Sequence, residues 1–164
     1  MGARNAAKAL IINDSKILLI KCQNTIGEML CGMPNGTIYY GLPGGGQNKY
    51  ETLEDALRRE VLEETGYTIA VKRLSAVYEE ISTNQEYREV YGQFAHGVYF
   101  LFACQMIDEP VKSLTEKDLN MLEAKWVDIK GVNDDFPLFP RAIRYSLGQI
   151  LASESTIYFG AEYV

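Results

Sequence analysis

The stretch Gly45–Tyr67, GGQNKYETLEDALRREVLEETGY, constrains the fold more than any other part of this 164-residue chain. It joins a glycine turn to a helix start and sets Gly66 as the helix stop. Thr52 serves as N-cap, and Glu54 and Asp55 suit the positive end of the helix dipole. On a helix with Glu60 at 0°, Glu63 and Glu64 fall about 60° and 40° to either side. Leu53 (about 20°), Leu57 (about 60°) and Ala56 (about 40° the other way) share that arc. A solvated helix sets its acids opposite its apolar stripe. Here the acids continue the stripe.

Three carboxylates on a partly buried face repel one another and lose hydration unless a cation joins them. Carboxylate oxygens are hard ligands that suit Mg²⁺, which binds through few protein groups plus substrate phosphates. A surface helix laced with Glu–Arg pairs would also read REVLEE, with Arg58 and Arg59 close by. The spacing around the hexad decides against it.

Gly45, five residues, Glu51, seven residues, Arg59-Glu60, Val61, one residue, Glu63-Glu64, one residue, Gly66 and Tyr67 match the Nudix box. That signature is G-x5-E-x7-R-E-U-x-E-E-x-G-U with U usually apolar, and only Tyr67 is an unusual choice. The chain resembles a Nudix hydrolase over its whole length. The resemblance implies one domain spanning residues 1–164, an α/β/α sandwich around a mixed sheet. It implies that Glu60, Glu63 and Glu64, with the backbone carbonyl at Gly44, hold Mg²⁺ or Mn²⁺. Arg59 is expected to pair with Glu51 and orient the carboxylates. Glu63 or Glu64 is expected to take the proton from the attacking water. Gly45, Gly46, Tyr40 and Lys49 are the substrate-binding candidates.

Composition agrees. The net charge of −6 argues against a sequence-independent binder of nucleic-acid polymers, which carries a basic face. Cys22, Cys31 and Cys104 are odd in number and lack zinc-type spacing, which fits reduced thiols in a cytoplasmic compartment. Residues 1–20 hold no uninterrupted apolar signal region, and no segment approaches the roughly 18 apolar residues of a membrane span.

Taken in order, Ala6–Asn13 and Lys16–Lys21 read as a hairpin turned at Asn13-Asp14-Ser15. Cys22–Asn35 reads as a loop bordering the substrate, and Thr37–Leu42 as a short strand ending in Pro43-Gly44-Gly45-Gly46. Tyr67–Val77 and Tyr91–Met106 read as strands, the second buried on both faces over Val98–Cys104. Ser82–Glu89 is a polar connection beside Glu79-Glu80, and His96, the only histidine, reads as structural. Asp108–Lys117 reads as a loop. Glu116 or Glu123 is the candidate for an extra carboxylate that many Nudix relatives place in this region. Ala124–Ile129, with Trp126, reads as a strand, and Arg141–Leu151 as a helix. The aromatic tail Thr156–Val164 packs back on the domain or on a second copy in a homodimer.

For substrate, Nudix relatives that remove oxidised purine triphosphates tend to carry Asn four residues after the Phe of a segment like Asp134-Asp135-Phe136-Pro137. Here that position is Pro140. Tyr39, Tyr40, Tyr78 and Phe139 are available to stack a base, and Lys21, Lys49 and Arg88 to meet phosphates. The reading is Mg²⁺-dependent pyrophosphohydrolysis of a nucleoside diphosphate linked to another group, with ADP-ribose or a nucleotide sugar ahead of a nucleoside triphosphate. A non-catalytic nucleotide-sensing domain typically lacks box glutamates, and this chain keeps all of them. The related isoprenoid-diphosphate isomerases need a catalytic cysteine in longer insertions, and neither Cys31 nor Cys104 has such a motif around it.

Overall fold

The structure is a computed structural model that describes residues 2–108, 110 and 120–164. In chain order it runs β1 (Arg4–Asn13), β2 (Lys16–Gln23), β3 (Ile38–Gly41), α1 (Leu53–Thr65), β4 (Ile69–Ile81), α2 (Gln85–Val90), β5 (His96–Met106), β6 (Met121–Asp128), α3 (Arg141–Ala152) and β7 (Ile157–Tyr163). The mixed sheet has the order β3-β2-β1-β5-β4-β7, with β6 on β2.

The turn at Asn13-Asp14-Ser15 does make a hairpin, with Asp14 in the left-handed region at φ 53°. Only Ile12↔Ile17 and Asn13↔Lys16 pair across it. Beyond them β1 leaves β2 and runs parallel to β5 from Arg4↔Gly97 to Ile11↔Cys104. β2 pairs instead with β6 along one edge and with β3 at its far end. The chain then crosses the gap. After β3 it lies along the edge of β1 that β2 leaves free, where Ala9 N–H donates to Pro43 O at 2.8 Å and Ala7 N–H to Gly45 O at 2.9 Å. A wedge opens between the two diverging strands, and the glycine loop borders it.

Period-two alternation along β1 sorts its side chains to two cores. Ala7, Ala9 and Ile11 face α1, where Leu57 and Val61 are fully buried with Phe102 and Cys104 of β5. Leu10 faces the other way, to Ile143, Leu147 and Ile150 of α3 with Tyr78 and Leu101. The expected α/β/α layering is present. Helix α1 begins where the sequence places it: Thr52 Oγ1 accepts from Asp55 N–H at 3.1 Å. It ends at Gly66, φ 75°, whose N–H reaches Leu62 O at 2.9 Å.

Two expectations change, and the tail takes the first of its two expected courses. Strand β4 runs on through Glu80 to Ile81, four residues past Val77, because it pairs with β5 as far as Ile81↔His96. Residues 85–90 form α2, capped by Asn84 Oδ1 accepting from Tyr87 N–H at 3.0 Å, so β5 begins at His96 and not at Tyr91. The tail joins the sheet as β7, parallel to β4.

Candidate active site

The peptide of Gly44 is the junction of the site. Its flanking carbonyls, Pro43 O and Gly45 O, are taken by β1. Its own N–H donates to Glu64 Oε2 at 2.7 Å, and its carbonyl accepts from Lys8 Nζ. Gly44 sits at φ 118°, and a Cβ there would run into Ala7 O and come within 3.1 Å of Leu57 Cδ1. A Cβ on Gly45 would land on the Glu60 carboxylate. The glycines therefore let α1 and β1 close on one strip of main chain, with Glu60 and Glu64 turned against it.

Arg59 ties the acids together. Its Nε and one Nη hold the two oxygens of Glu51 at 2.9 and 3.0 Å, a fork-on-fork pair. The other Nη donates to Glu60 Oε1 at 2.7 Å and to Glu63 Oε2 at 3.3 Å, and Gly46 O accepts at 3.1 Å from the first. The bond to Arg59, with the Asn48 N–H, holds the Glu51 carboxyl below the usual carboxylate range. The guanidinium in turn is held above its ordinary value, chiefly by Glu51.

A cleft of about 910 Å³ fills the wedge. At one end it is lined by Gly44, Gly45, Gly46, Glu60 and Glu64, with Arg4 and Lys8 of β1. Elsewhere its wall is apolar and aromatic: Ile26, Leu30 and Met33 of the loop after β2, Tyr39 beside Phe139, and Tyr99, with Phe94 under the Arg4 guanidinium. Tyr39 and Phe139 meet edge-on at 6.0 Å. Tyr78 stacks on Tyr99 at 5.0 Å and donates to Glu80 Oε2 at 2.8 Å. Burial pushes the Glu80 carboxyl up, against the lowering effect of that bond. The loop wall is fixed by Asn24, fully buried, whose amide donates to Gly27 O, Met33 O and Pro34 O at 2.9, 2.8 and 3.1 Å.

A sequence model described as NUDIX domain matches residues 2–145. The chain belongs to the NUDIX family. It is 25% identical over 147 residues to the nucleoside triphosphatase NudI of Escherichia fergusonii, covering 80% of this chain and 99% of that protein. It is 38% identical over 73 residues to the ADP-ribose pyrophosphatase of Methanocaldococcus jannaschii, covering 44% of this chain and 38% of that one. Its fold matches the crystal structure of an ADP-ribose pyrophosphatase from Streptococcus suis with a TM-score of 0.62 at 17% identity, over 96% of this chain and 99% of that one. The protein is a NUDIX hydrolase acting on phosphorus anhydrides.

The NUDIX box residues converge, but not as one inward stripe. Glu60 and Glu64, one turn apart, line the cleft, and the Glu60 side chain is 18% exposed. Glu63 is 37% exposed and faces Arg59 from outside the cleft. Val61 points into the core, and on the helical projection Glu64 lies about 60° from it, Glu60 about 100° and Glu63 about 160°, which leaves Glu63 on the outer flank. Among the described residues no three acidic, histidine or cysteine side chains are gathered tightly enough to hold an ion as they stand. The donors still fit one: two carboxylates and the Gly44 carbonyl border a single cleft, and they are the hard oxygen donors that Mg²⁺ takes alongside substrate phosphate.

Other candidates fall elsewhere. Tyr40 turns from the cleft to pack on Phe136 at 4.9 Å, and Tyr39, its neighbour of opposite parity, faces the cleft instead. Lys49 is exposed, its ammonium 4.9 Å from the Tyr50 ring, and does not line the cleft. Lys21 pairs with Glu123 at 3.3 Å on the surface, and Arg88 donates to Ser82 O. Glu123 is thereby engaged away from the cleft, and Glu116 lies outside the described residues. His96 bonds Glu79 at 3.1 Å on the outer side of β4. Burial pushes the Cys31 thiol up to about 11, so it stays protonated at neutral pH and is unsuited to thiolate chemistry. Sequence reasoning missed Arg4, Lys8 and Asn24. Period-two alternation along β1 gave the only signal, placing Arg4 and Lys8 on one face.

Proposed function

We propose that this NUDIX hydrolase cleaves the diphosphate linkage of a nucleoside diphosphate joined to a second group, with ADP-ribose or a nucleotide sugar as the substrate class. The observation that carries the reading is one cleft of about 910 Å³ that has both a carboxylate-and-glycine wall and an aromatic wall. That is near the upper end of the roughly 300–1,000 Å³ of small-molecule sites, which suits a ligand with two bulky ends about a diphosphate. Tyr39, Phe139 and Tyr99 supply flat faces for a base, and the glycine loop supplies close main-chain approach for the phosphates.

Gly44 O, Glu60 and Glu64 would hold a divalent ion. When bound, that ion neutralises phosphate charge and makes water a stronger acid. The chain's own residues do the rest. Glu51 fixes Arg59, Arg59 fixes Glu60, and the Gly44 N–H fixes one oxygen of Glu64. Water attacks a phosphorus, the bridging P–O bond breaks, and the water's proton passes to a carboxylate. Glu64, on the cleft wall, is better placed for that proton than Glu63.

The similarity to a nucleoside triphosphatase over nearly that protein's whole length favours a second reading, hydrolysis of a nucleoside triphosphate. The test is turnover with Mg²⁺ on ADP-ribose, nucleotide sugars, dinucleotides, and plain and oxidised nucleoside triphosphates, with products identified directly. Preference for a two-ended diphosphate, lost in Glu64→Gln, supports the proposal. Preference for a triphosphate replaces it with the second reading. No turnover on any of them would make the cleft a sensing site.

A further inference from the structure

Lys8 has no part in the steps above, yet its ammonium sits on the Gly44 carbonyl. The other carbonyls of the loop have different partners: Pro43 O and Gly45 O bond β1, and Gly46 O bonds Arg59. Gly44 O is thus the loop carbonyl given to a mobile cation at the cleft. Glu64 accepts from the N–H of the same residue at 2.7 Å, and Glu60 lies against the next residue. Arg59 is committed to Glu51, Glu60 and Glu63. A lysine ammonium is a compact charge on a four-carbon stem with three donors, so it can release a carbonyl and turn to another acceptor without moving the strand. Among the described residues lining the cleft, the other basic side chain is Arg4 on the same face of β1. Arg4 packs its guanidinium against Gly46 and over the Phe94 ring at 4.8 Å. The two stand roughly 13 Å apart along the strand, one at each end of the glycine loop.

We propose that Lys8 is an exchangeable cation: it holds the Gly44 carbonyl in the metal-free enzyme, yields it to the divalent ion, and then binds a phosphate of the substrate beside that ion. This rests on the diphosphate-hydrolase reading. It makes Lys8 a phosphate-binding residue that also sets how tightly metal binds before substrate arrives.

The experiment is Mn²⁺ titration of the substrate-free full chain by electron paramagnetic resonance, with steady-state kinetics on the preferred substrate in parallel. Lys8→Met keeps the stem and removes the charge. It is expected to bind Mn²⁺ about three- to tenfold tighter, the effect of removing one unit charge a few ångströms away in a water-filled cleft. Its KM should rise at least about tenfold while kcat changes less, the split expected for lost phosphate binding. Lys8→Arg keeps the charge and should stay near wild type in Mn²⁺ affinity. Unchanged or weaker Mn²⁺ binding by Lys8→Met overturns the exchange, and tighter binding with unchanged KM overturns the transfer to phosphate. If Lys8→Met does not fold, amine-reactive labelling of the wild-type chain decides. Mg²⁺ should expose Lys8 to the reagent, and protection unchanged by Mg²⁺ sinks the idea. A wild-type chain with no Mn²⁺ binding sensitive to Glu64→Gln and no diphosphate turnover refutes the parent reading. A chain with both, and an indifferent Lys8→Met, refutes this inference alone.

Discussion

Adding one methyl group at each of three successive glycines should give three different outcomes, because each would meet a different kind of atom. In Gly46→Ala the new Cβ meets the Arg4 guanidinium, the end of a long side chain that can swing aside. The expected loss is under about 1 kcal/mol. In Gly45→Ala it meets the Glu60 carboxylate, which is pinned by a charge-assisted bond to Arg59 at 2.7 Å. Either that bond breaks or the loop shifts, and overpacking of this kind costs about 1–3 kcal/mol. In a chain of this length that lowers the melting temperature by about 2–12 °C. Activity should fall on the order of 100-fold, because Glu60 is moved by an ångström or more at the reacting centre. In Gly44→Ala the obstacle is main chain, Ala7 O, and φ 118° adds backbone strain of about 1–3 kcal/mol to the overpacking. Melting curves followed by circular dichroism, with turnover at fixed metal concentration, give the order directly: Gly44→Ala worst, Gly45→Ala next, Gly46→Ala mildest. A Gly45→Ala protein as active as wild type, or less damaged than Gly46→Ala, would refute the placement of Glu60 against the loop.

Arg59→Lys loses the fork that holds both oxygens of Glu51 and should cost about 10- to 100-fold in kcat with the fold kept, as read by kinetics alongside a melt. Because Glu51 has its folded-state pKa depressed, its contribution to stability is present above its unfolded value and lost as pH falls through the folded one. Glu51→Gln should therefore flatten the fall in melting temperature below about pH 5. Glu80 has the opposite sign: its folded-state pKa is raised by burial, so its ionisation penalises the fold as pH rises past the unfolded value. Glu80→Gln, which keeps an acceptor for Tyr78, should melt higher than wild type in alkaline buffer and match it in acid. Asn24→Ala leaves the buried Met33 carbonyl without its donor, while Gly27 O keeps Leu30 N–H and Pro34 O keeps Thr37, and should lower stability by about 1–3 kcal/mol, checked by urea unfolding.

The chemical half of the site was legible because the residues that make it are close in sequence and each has a local reason. Thr52 and Gly66 sit where helix geometry puts them, and the Arg59–Glu51 pair is the one the Nudix resemblance implies. The placement of Glu63 on the inward stripe is what the structure changes. The buried centre lies towards Leu57 and Val61, and on the 100°-per-residue projection Glu64 stands about 60° from Val61, Glu60 about 100° and Glu63 about 160°, so Glu63 falls on the outer flank. The recognition half was harder to read because it depends on which strands pair. Lys8 faces the cleft only because β1 abandons β2 after two residue pairs and lets the glycine loop take its edge. Short-range patterns do not specify that divergence. Tyr67, odd as the last box residue, makes sense only with Trp126, whose indole N–H reaches its hydroxyl at 3.4 Å from 59 positions away. Helix α2 escaped because six residues with one cap carry no apolar period.

The early parting of β1 and β2 has a further consequence. The strip proposed to handle the anhydride, Gly44 to Glu64, is anchored to β1 and α1, whereas Asn24, the loop it steadies and Tyr39 hang on the β2 side of the wedge. Between β1 and β2 the ladder itself holds two residue pairs, at the turn. Drift in the second half can thus change which molecule is accepted while the reaction carried out by the first stays the same. An ancestral chain of this shape could switch diets without relearning how to eat.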